Sequence, residues 1–139
     1  MKHSMKGAAL VLLGIGCGGT SEPVAVLSRV LASPADIMLA IGDEVRVDSL
    51  LRVGFLSVPG DSRCPTTVVC IWMGDGAAEI SYGIGMGPSF PDTLHTALGR
   101  SQATFQGYRI TLLELMPYPT IPGTIPPDEY AVRLRIVRR

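Results

Sequence analysis

This sequence of 139 residues has few aromatic residues, few lysines and no net charge. Aromatic side chains make up 6% of it, and lysine occurs only at Lys2 and Lys6. The 12 basic residues are balanced by 12 acidic ones, so the chain lacks the basic surface that nucleic-acid binding requires. It does contain 16 glycines and 11 prolines. This composition is typical of a small all-β protein with many turns rather than of a helical bundle.

Histidine is also scarce, which limits the chemistry open to the protein. Outside residues 1–16 only His95 remains. We expect it to be solvated on a strand rather than to serve as the base of a nucleophile triad. Asp61 and Asp75 are the candidate carboxylate pair of a glycosidase, but both lie in turn contexts where aspartate bonds local backbone. Gly83–Gly87 precedes a proline, without the helix or lysine of a phosphate-binding loop. The sequence therefore predicts a protein that is not an enzyme and that has no cofactor or metal.

Three cysteines are present, and two of them are close together. Cys64 and Cys70 enclose five residues. Zinc usually takes four ligands, and no histidine lies near; redox dithiols have two intervening residues. A structural disulfide is favoured over both alternatives in an oxidising compartment. Such a bond would pin the loop Pro59–Thr66 to the residues that follow it and stabilise the fold by roughly 2 kcal/mol.

The N-terminus has the pattern of a bacterial export signal. Lys2 and Lys6 precede an apolar run of about ten residues, which is too short to span a bilayer and fits a secretory leader over residues 1–16. Leu13-Gly-Ile-Gly-Cys17 resembles a lipobox, and Cys17 is the thiol left over by the 64–70 pair, so we expect a lipid on Cys17. Residues 17–34 then form a flexible tether. Because Gly18 and Gly19, rather than an acidic residue, directly follow Cys17, the outer membrane is the expected location; secretion as a soluble protein is the alternative.

From residue 35 to residue 139, apolar and polar residues alternate in short runs separated by turn residues, which is the pattern of β-strands. The runs lie at Ile37–Ile41, Val45–Val47, Leu51–Phe55, Val68–Met73, Ala78–Ile84, Asp92–Ala97, Tyr108–Met116 and Tyr130–Ile136. Seven or eight strands in this span predict an antiparallel two-sheet sandwich of the immunoglobulin-like kind, with a small β-barrel as the alternative.

Two connections between these runs are also predicted. Asp75-Gly76 indicates a hairpin after the Val68–Met73 run, and the ring of Trp72 on that run is expected to cover the disulfide or the rim of the core. Pro117–Pro127 indicates an extended crossover without ladder hydrogen bonds.

The central stretch carries a resemblance to a known family. Asp61-Ser-Arg-Cys-Pro65, followed after four residues by Cys70-Ile-Trp-Met-Gly74, resembles the signature of a family of short secreted or lipid-anchored bacterial proteins of unknown function. Met73 stands where that family has a small residue. The resemblance runs from about residue 35 to the end of the chain and takes in Leu115–Pro119. It implies no catalytic residues.

These observations lead to three hypotheses of function. The first is a non-enzymatic, lipid-anchored protein of the cell envelope that presents Asp61, Arg63, Trp72 and Asp75 on or beside its disulfide-closed loop to an envelope protein or a glycan. For Asp61 and Arg63 the alternative to an exposed recognition tip is an internal ion pair that shapes the loop. The second hypothesis is a purely structural envelope lipoprotein, and the third is a carboxylate-based enzyme or metal carrier. The last strand is expected to carry solvated arginines on its outward face and at its end, namely Arg133, Arg135, Arg138 and Arg139.

Overall fold

The computed structural model of the chain describes residues 30–139. The predicted leader, the Cys17 anchor and the tether up to residue 29 therefore lie outside the described residues. Residues 30–139 form nine β-strands and one short 3₁₀ helix at Pro127–Glu129. The strands are β1 (Val30–Leu31), β2 (Ala35–Ala40), β3 (Glu44–Val47), β4 (Leu51–Asp61), β5 (Gly76–Ile84), β6 (Ser89–His95), β7 (Gln102–Phe105), β8 (Tyr108–Met116) and β9 (Ala131–Arg138). In this part of the chain there is no helix with the length and apolar character needed to cross a bilayer.

The strands form two sheets rather than one closed barrel. The first sheet has the order β1-β3-β4-β5-β6, and the second has the order β2-β9-β8-β7. All neighbouring strands are antiparallel except β1 and β3, which are parallel. Apolar side chains of both sheets share one core, so the predicted all-β, two-sheet sandwich is confirmed.

The alternation of apolar residues explains why the two sheets pack on each other. In β2 the side chains of Ala35, Ile37 and Leu39 are buried, and the residues between them are exposed. β9, which pairs with β2, shows the same alternation. Each large aliphatic side chain removed from water stabilises the fold by roughly 1.5–3 kcal/mol. Fully buried core residues come from both sheets and include Val47, Leu51, Val53, Phe55, Ile80, Leu94, Ile110, Leu115, Val132, Leu134 and Ile136.

The predicted strand at Val68–Met73 is wrong. This segment belongs to a loop that joins β4 to β5. Within residues 30–139 no strand pairs with this segment, and the chain bends at Ile71 and Trp72, so the alternation does not produce a strand here. The predicted Asp75-Gly76 hairpin is also wrong, because Gly76 is already the first residue of β5 and pairs with Asp61, the last residue of β4.

Smaller differences concern the ends of the sheets. Val30–Leu31 already lies in the first sheet, ahead of the predicted domain start at residue 35. β6 begins and ends earlier than predicted, and the sequence pattern does not indicate β7, which has only four residues. The segment Pro117–Pro126 forms no strand, as predicted, but it connects β8 and β9, which are neighbours in one sheet.

Candidate functional site

A loop closed by a disulfide lies at the end of the sandwich where β4 and β5 separate. We call residues 62–75 the disulfide loop; it contains the predicted bond between Cys64 and Cys70, which is confirmed. At its base the N–H of Cys64 donates to the carbonyl of Met73 over 2.9 Å. The two sides of the loop approach so closely that a Cβ at Gly74, where φ is +70°, would lie 1.8 Å from a carbonyl oxygen on the other side. Only glycine fits this position, so the close approach of the two sides of the loop depends on Gly74.

The disulfide loop is bound to the proline-rich segment, which we define as residues 117–127. The N–H groups of Thr66 and Thr67 donate to the carbonyls of Pro119 and Thr120 at 3.1 and 3.2 Å, and the Thr67 hydroxyl donates to the same Thr120 carbonyl at 2.6 Å. Proline has no N–H, but its carbonyl remains an acceptor. The disulfide loop and the proline-rich segment, which connect strands of different sheets, are therefore hydrogen-bonded to each other at this end of the molecule.

Four apolar side chains of the disulfide loop point into solvent, and we call them the apolar tip. Their exposed fractions are 100% for Val69, 96% for Ile71, 82% for Trp72 and 81% for Met73. The expectation that the Trp72 ring covers the rim of the core is wrong, because a side chain this exposed is not part of the core. No charged residue lies between Arg63 and Asp75 in the sequence. The tip is thus a run of uncharged surface on both sides of Cys70, with Val69 inside the ring that the disulfide closes and the other three residues directly after it.

Arg63 lies beneath the disulfide loop, and only 7% of it is exposed. Its Nε and Nη2 atoms donate to the two carboxylate oxygens of Asp61 at 2.8 and 2.7 Å. Nη1 donates to the carbonyl of Leu115 at 2.5 Å, and Nη2 also donates to that of Pro117 at 2.8 Å. The hydroxyl of Tyr130 donates to Asp61 Oδ2 at 2.9 Å. Asp61 and Arg63 therefore form an internal ion pair, which was the alternative to an exposed recognition tip. Their contacts join the end of β4 to the end of β8.

Burial and hydrogen bonding have opposite effects on Asp61. Removal from water raises the pKa of its carboxyl, but the hydrogen bonds from Arg63 and Tyr130 more than offset this effect and keep the pKa of Asp61 below its ordinary value. Burial, with the hydrogen bond to Asp61 adding to it, raises the pKa of Tyr130 to about 12. At neutral pH the carboxylate is therefore charged and the phenol is neutral, which is the combination that the hydrogen bond between them requires.

Asp75, the last residue of the disulfide loop, fixes the position of the segment after β6. Its Oδ2 atom lies 2.6 Å from Nδ1 of His95, and its Oδ1 atom accepts the N–H groups of Ala97 and Leu98 at 2.9 and 3.1 Å. Burial opposes ionisation, but these hydrogen bonds, led by that from His95, lower the pKa of Asp75 to about 2. The prediction that Asp75 bonds local backbone is wrong, because these partners lie 20 to 23 residues away. His95 lies on a strand, as predicted, and its side chain is 31% exposed although it binds Asp75.

The four predicted interaction residues lie close together at one end of the described part of the chain, but they differ in access to solvent. The side chains of Asp61 and Arg63 are 10% and 5% exposed, and that of Asp75 is 13% exposed. Of the four predicted interaction residues, Trp72 alone presents most of its surface to a partner. Sequence reasoning missed Tyr130 as a partner of Asp61, because no local pattern places two residues 69 positions apart in contact.

The four C-terminal arginines are exposed, as predicted; Arg133 and Arg135 lie on the outward face of β9, and Arg138 and Arg139 lie at its end. Two of them are also paired: Arg133 contacts Glu114 at 3.2 Å, and Arg135 contacts Asp36 at 2.7 Å. Pairs this exposed contribute roughly 0–1 kcal/mol each, so they are features of a solvated sheet face.

The fold and this end of the molecule define a β-sandwich domain that carries a disulfide-closed loop with an exposed apolar tip. Within residues 30–139 no group of three or more His, Cys, Asp or Glu side chains is arranged to hold a metal ion. Comparison with protein-family models, with curated proteins and with solved structures finds no match for this chain.

Proposed function

We propose that this protein is a binding module of the bacterial cell envelope that engages a partner protein through its apolar tip. The observation that carries the proposal is the near-complete exposure of Val69, Ile71, Trp72 and Met73. Large apolar side chains clustered on a surface mark interaction sites, and tryptophan and methionine are enriched where proteins bind each other.

The construction of the loop supports the same conclusion. The Cys64–Cys70 bond, the hydrogen bond from Cys64 to Met73 and those to the proline-rich segment restrain the chain on both sides of the tip. A preorganised loop loses less conformational entropy on binding and so binds more tightly for the same contacts. A glycan is the less suitable partner, because the tip offers no charged or amide side chain to hydrogen-bond sugar hydroxyls.

Site-specific photo-crosslinking in cells tests the tip. A crosslinker at position 71 of the full chain is expected to give a defined adduct that excess unlabelled protein suppresses and that Trp72→Ala weakens. The matched control is a crosslinker at Met86, which is 89% exposed in the turn after β5 and lies outside the disulfide loop. If both positions give the same adducts, or position 71 gives none that can be saturated, the tip is not a binding site.

The proposal includes a lipid at Cys17 that places the module at a membrane surface, with the outer membrane as the location. It rests on the leader pattern of residues 1–16 and on the pairing of the other two cysteines. Cys17→Ser is expected to release the protein from membranes and to abolish fatty-acid labelling. Wild-type protein that takes up no labelled fatty acid would instead support secretion as a soluble protein.

A further inference from the structure

Half of strand β4 has an edge that pairs with no other segment of residues 30–139. β3 pairs with β4 only from Leu51 to Gly54, and the turn before β3 adds backbone hydrogen bonds to Phe55. Beyond that point β4 continues to its last residue and pairs with β5 on the other side only. Within residues 30–139 no backbone hydrogen bond joins Leu56–Asp61 to any segment other than β5. One side of this half-strand is therefore free to pair.

The free edge forms one wall of a cleft next to the disulfide loop. The cleft has a volume of about 480 Å³, and every residue of Leu56–Asp61 lines it. The opposite wall is formed by the proline-rich segment at Gly123, Thr124 and Ile125. The volume falls within the range of roughly 300–1,000 Å³ that ligand sites occupy. Because the cleft lies where β3 would continue, a chain that enters it would run beside β4 as β3 does.

The lining of the cleft indicates which chemistry fits there. Among the described residues that line it, Asp61 and Arg63 are the only charged ones, and these bind each other at 2.7 Å. A charged ligand would find no free partner and would lose its hydration. Ile41, Val58 and Ile125 provide apolar contacts instead. The cleft is therefore suited to an uncharged chain with apolar side chains.

The edge is also limited in length. Leu56–Asp61 spans roughly 20 Å, Pro59 offers no N–H, and two irregularities in the pairing with β5 interrupt the regular register. Prolines and bulges are the devices that prevent open-ended edge-to-edge aggregation of sheets. The remaining donors and acceptors can pair with a short segment but not with an extended sheet.

We propose that this half-strand and the cleft bind an extended, uncharged peptide segment of a partner protein, which adds to the first sheet as a strand in line with β3. In this mode the backbone hydrogen bonds supply affinity, and the pockets for alternate side chains supply specificity. The site is separate from the apolar tip, so the result of testing this proposal does not depend on the function proposed above.

Selection of displayed, uncharged peptides of about seven residues against the full chain tests this site. Bound peptides are expected to slow hydrogen exchange of the amides in Ser57–Asp61 about tenfold or more. Methylation of alternate peptide nitrogens is expected to lower affinity about tenfold or more, because it removes the donors that pair with β4. If no peptide is enriched, or if methylated peptides bind equally well, strand addition is excluded.

Two variants locate the binding. Gly60→Trp places a ring in the cleft; a Cβ at this position meets nothing within 4 Å and needs no left-handed backbone, so the fold should persist. Thr104→Trp is the control, since it adds the same ring at an exposed position of β7 outside the cleft. Peptides are expected to bind the control but not Gly60→Trp, and equal binding to both would overturn the assignment. Binding that requires removal of residues 1–29 would assign the cleft to this chain's own N-terminal segment and likewise overturn it.

Discussion

Replacing Arg63 with methionine removes the guanidinium from the centre of the buried network while keeping an unbranched apolar side chain. In the variant, Asp61 loses two charge-assisted hydrogen bonds at a site where its side chain is 10% exposed. The carbonyls of Leu115 and Pro117 lose their donors at the same time. Breaking a buried ion pair in this way costs roughly 3–5 kcal/mol, and the total free energy of unfolding of a domain is roughly 5–15 kcal/mol. The variant is therefore expected to lose a large part of its stability.

Arg135→Met is the matched control for this experiment. Arg135 also contacts one aspartate with two nitrogens, at 2.8 and 2.7 Å from the oxygens of Asp36. The side chains of this pair are 55% and 47% exposed, so its loss should cost roughly 0–1 kcal/mol. Urea unfolding followed by circular dichroism measures both variants; fluorescence is a poor probe because Trp72 is exposed in the folded protein. Equal losses in the two variants would refute the reasoning, since burial is the main difference between the pairs.

Three further predictions concern the disulfide, acid stability and the core. Reduction of the Cys64–Cys70 bond, or replacement of both residues by serine, should lower the free energy of unfolding by about 2 kcal/mol; identical urea midpoints with and without reductant would contradict this. The pKa of the Asp75 carboxyl is about 2 in the folded protein and 3.8 ordinarily. Ionised Asp75 therefore adds about 2 kcal/mol to the free energy of unfolding at pH values above its ordinary pKa, and this contribution is lost as the pH falls toward the folded-state pKa. Urea midpoints at about pH 5 and about pH 2 should accordingly differ less in Asp75→Asn than in the wild type. Phe55→Ala should cost about 3–5 kcal/mol and its neighbour Leu56→Ala much less, because Phe55 is 0% exposed and Leu56 is 43% exposed; similar losses would mean that the core is packed differently.

The fold class could be predicted from the sequence because the signal is local and repeated. Ile37 and Leu39 in β2, and Leu134 and Ile136 in β9, recur at every second position, as the buried face of a half-buried strand requires. Each strand provides the same evidence independently, so errors at individual boundaries do not change the class of fold.

The disulfide loop shows where such reasoning fails. Val69, Ile71 and Met73 have the spacing and the β-branched or apolar character of a strand, yet the loop exposes all three. Alternation produces a strand only if a neighbouring edge accepts its hydrogen bonds, and within residues 30–139 no strand pairs with this segment. The predicted disulfide did not exclude the strand, because the bond constrains only the chain between Cys64 and Cys70.

The burial of Arg63 could not be predicted from the sequence for a different reason. An arginine two residues from an aspartate is consistent with an exposed pair or an internal one. The choice between them depends on distant residues. Leu115 and Pro117, which accept hydrogen bonds from Arg63, lie 52 and 54 positions after it. Tyr130, which donates to Asp61, lies 69 positions after that residue. Local patterns carry no information about contacts at that distance.

The same wide separation in sequence has a kinetic consequence. The guanidinium of Arg63 can reach the carbonyls of Leu115 and Pro117 only after β4 and β8 have taken their places in opposite sheets. Contacts between such distant residues carry a large loop-closure cost and form late on the folding pathway. The ion pair should then act mainly on the rate at which the native protein opens, and hardly on the rate at which it folds. We therefore expect the ion pair to affect how long each molecule stays folded more than how fast it folds.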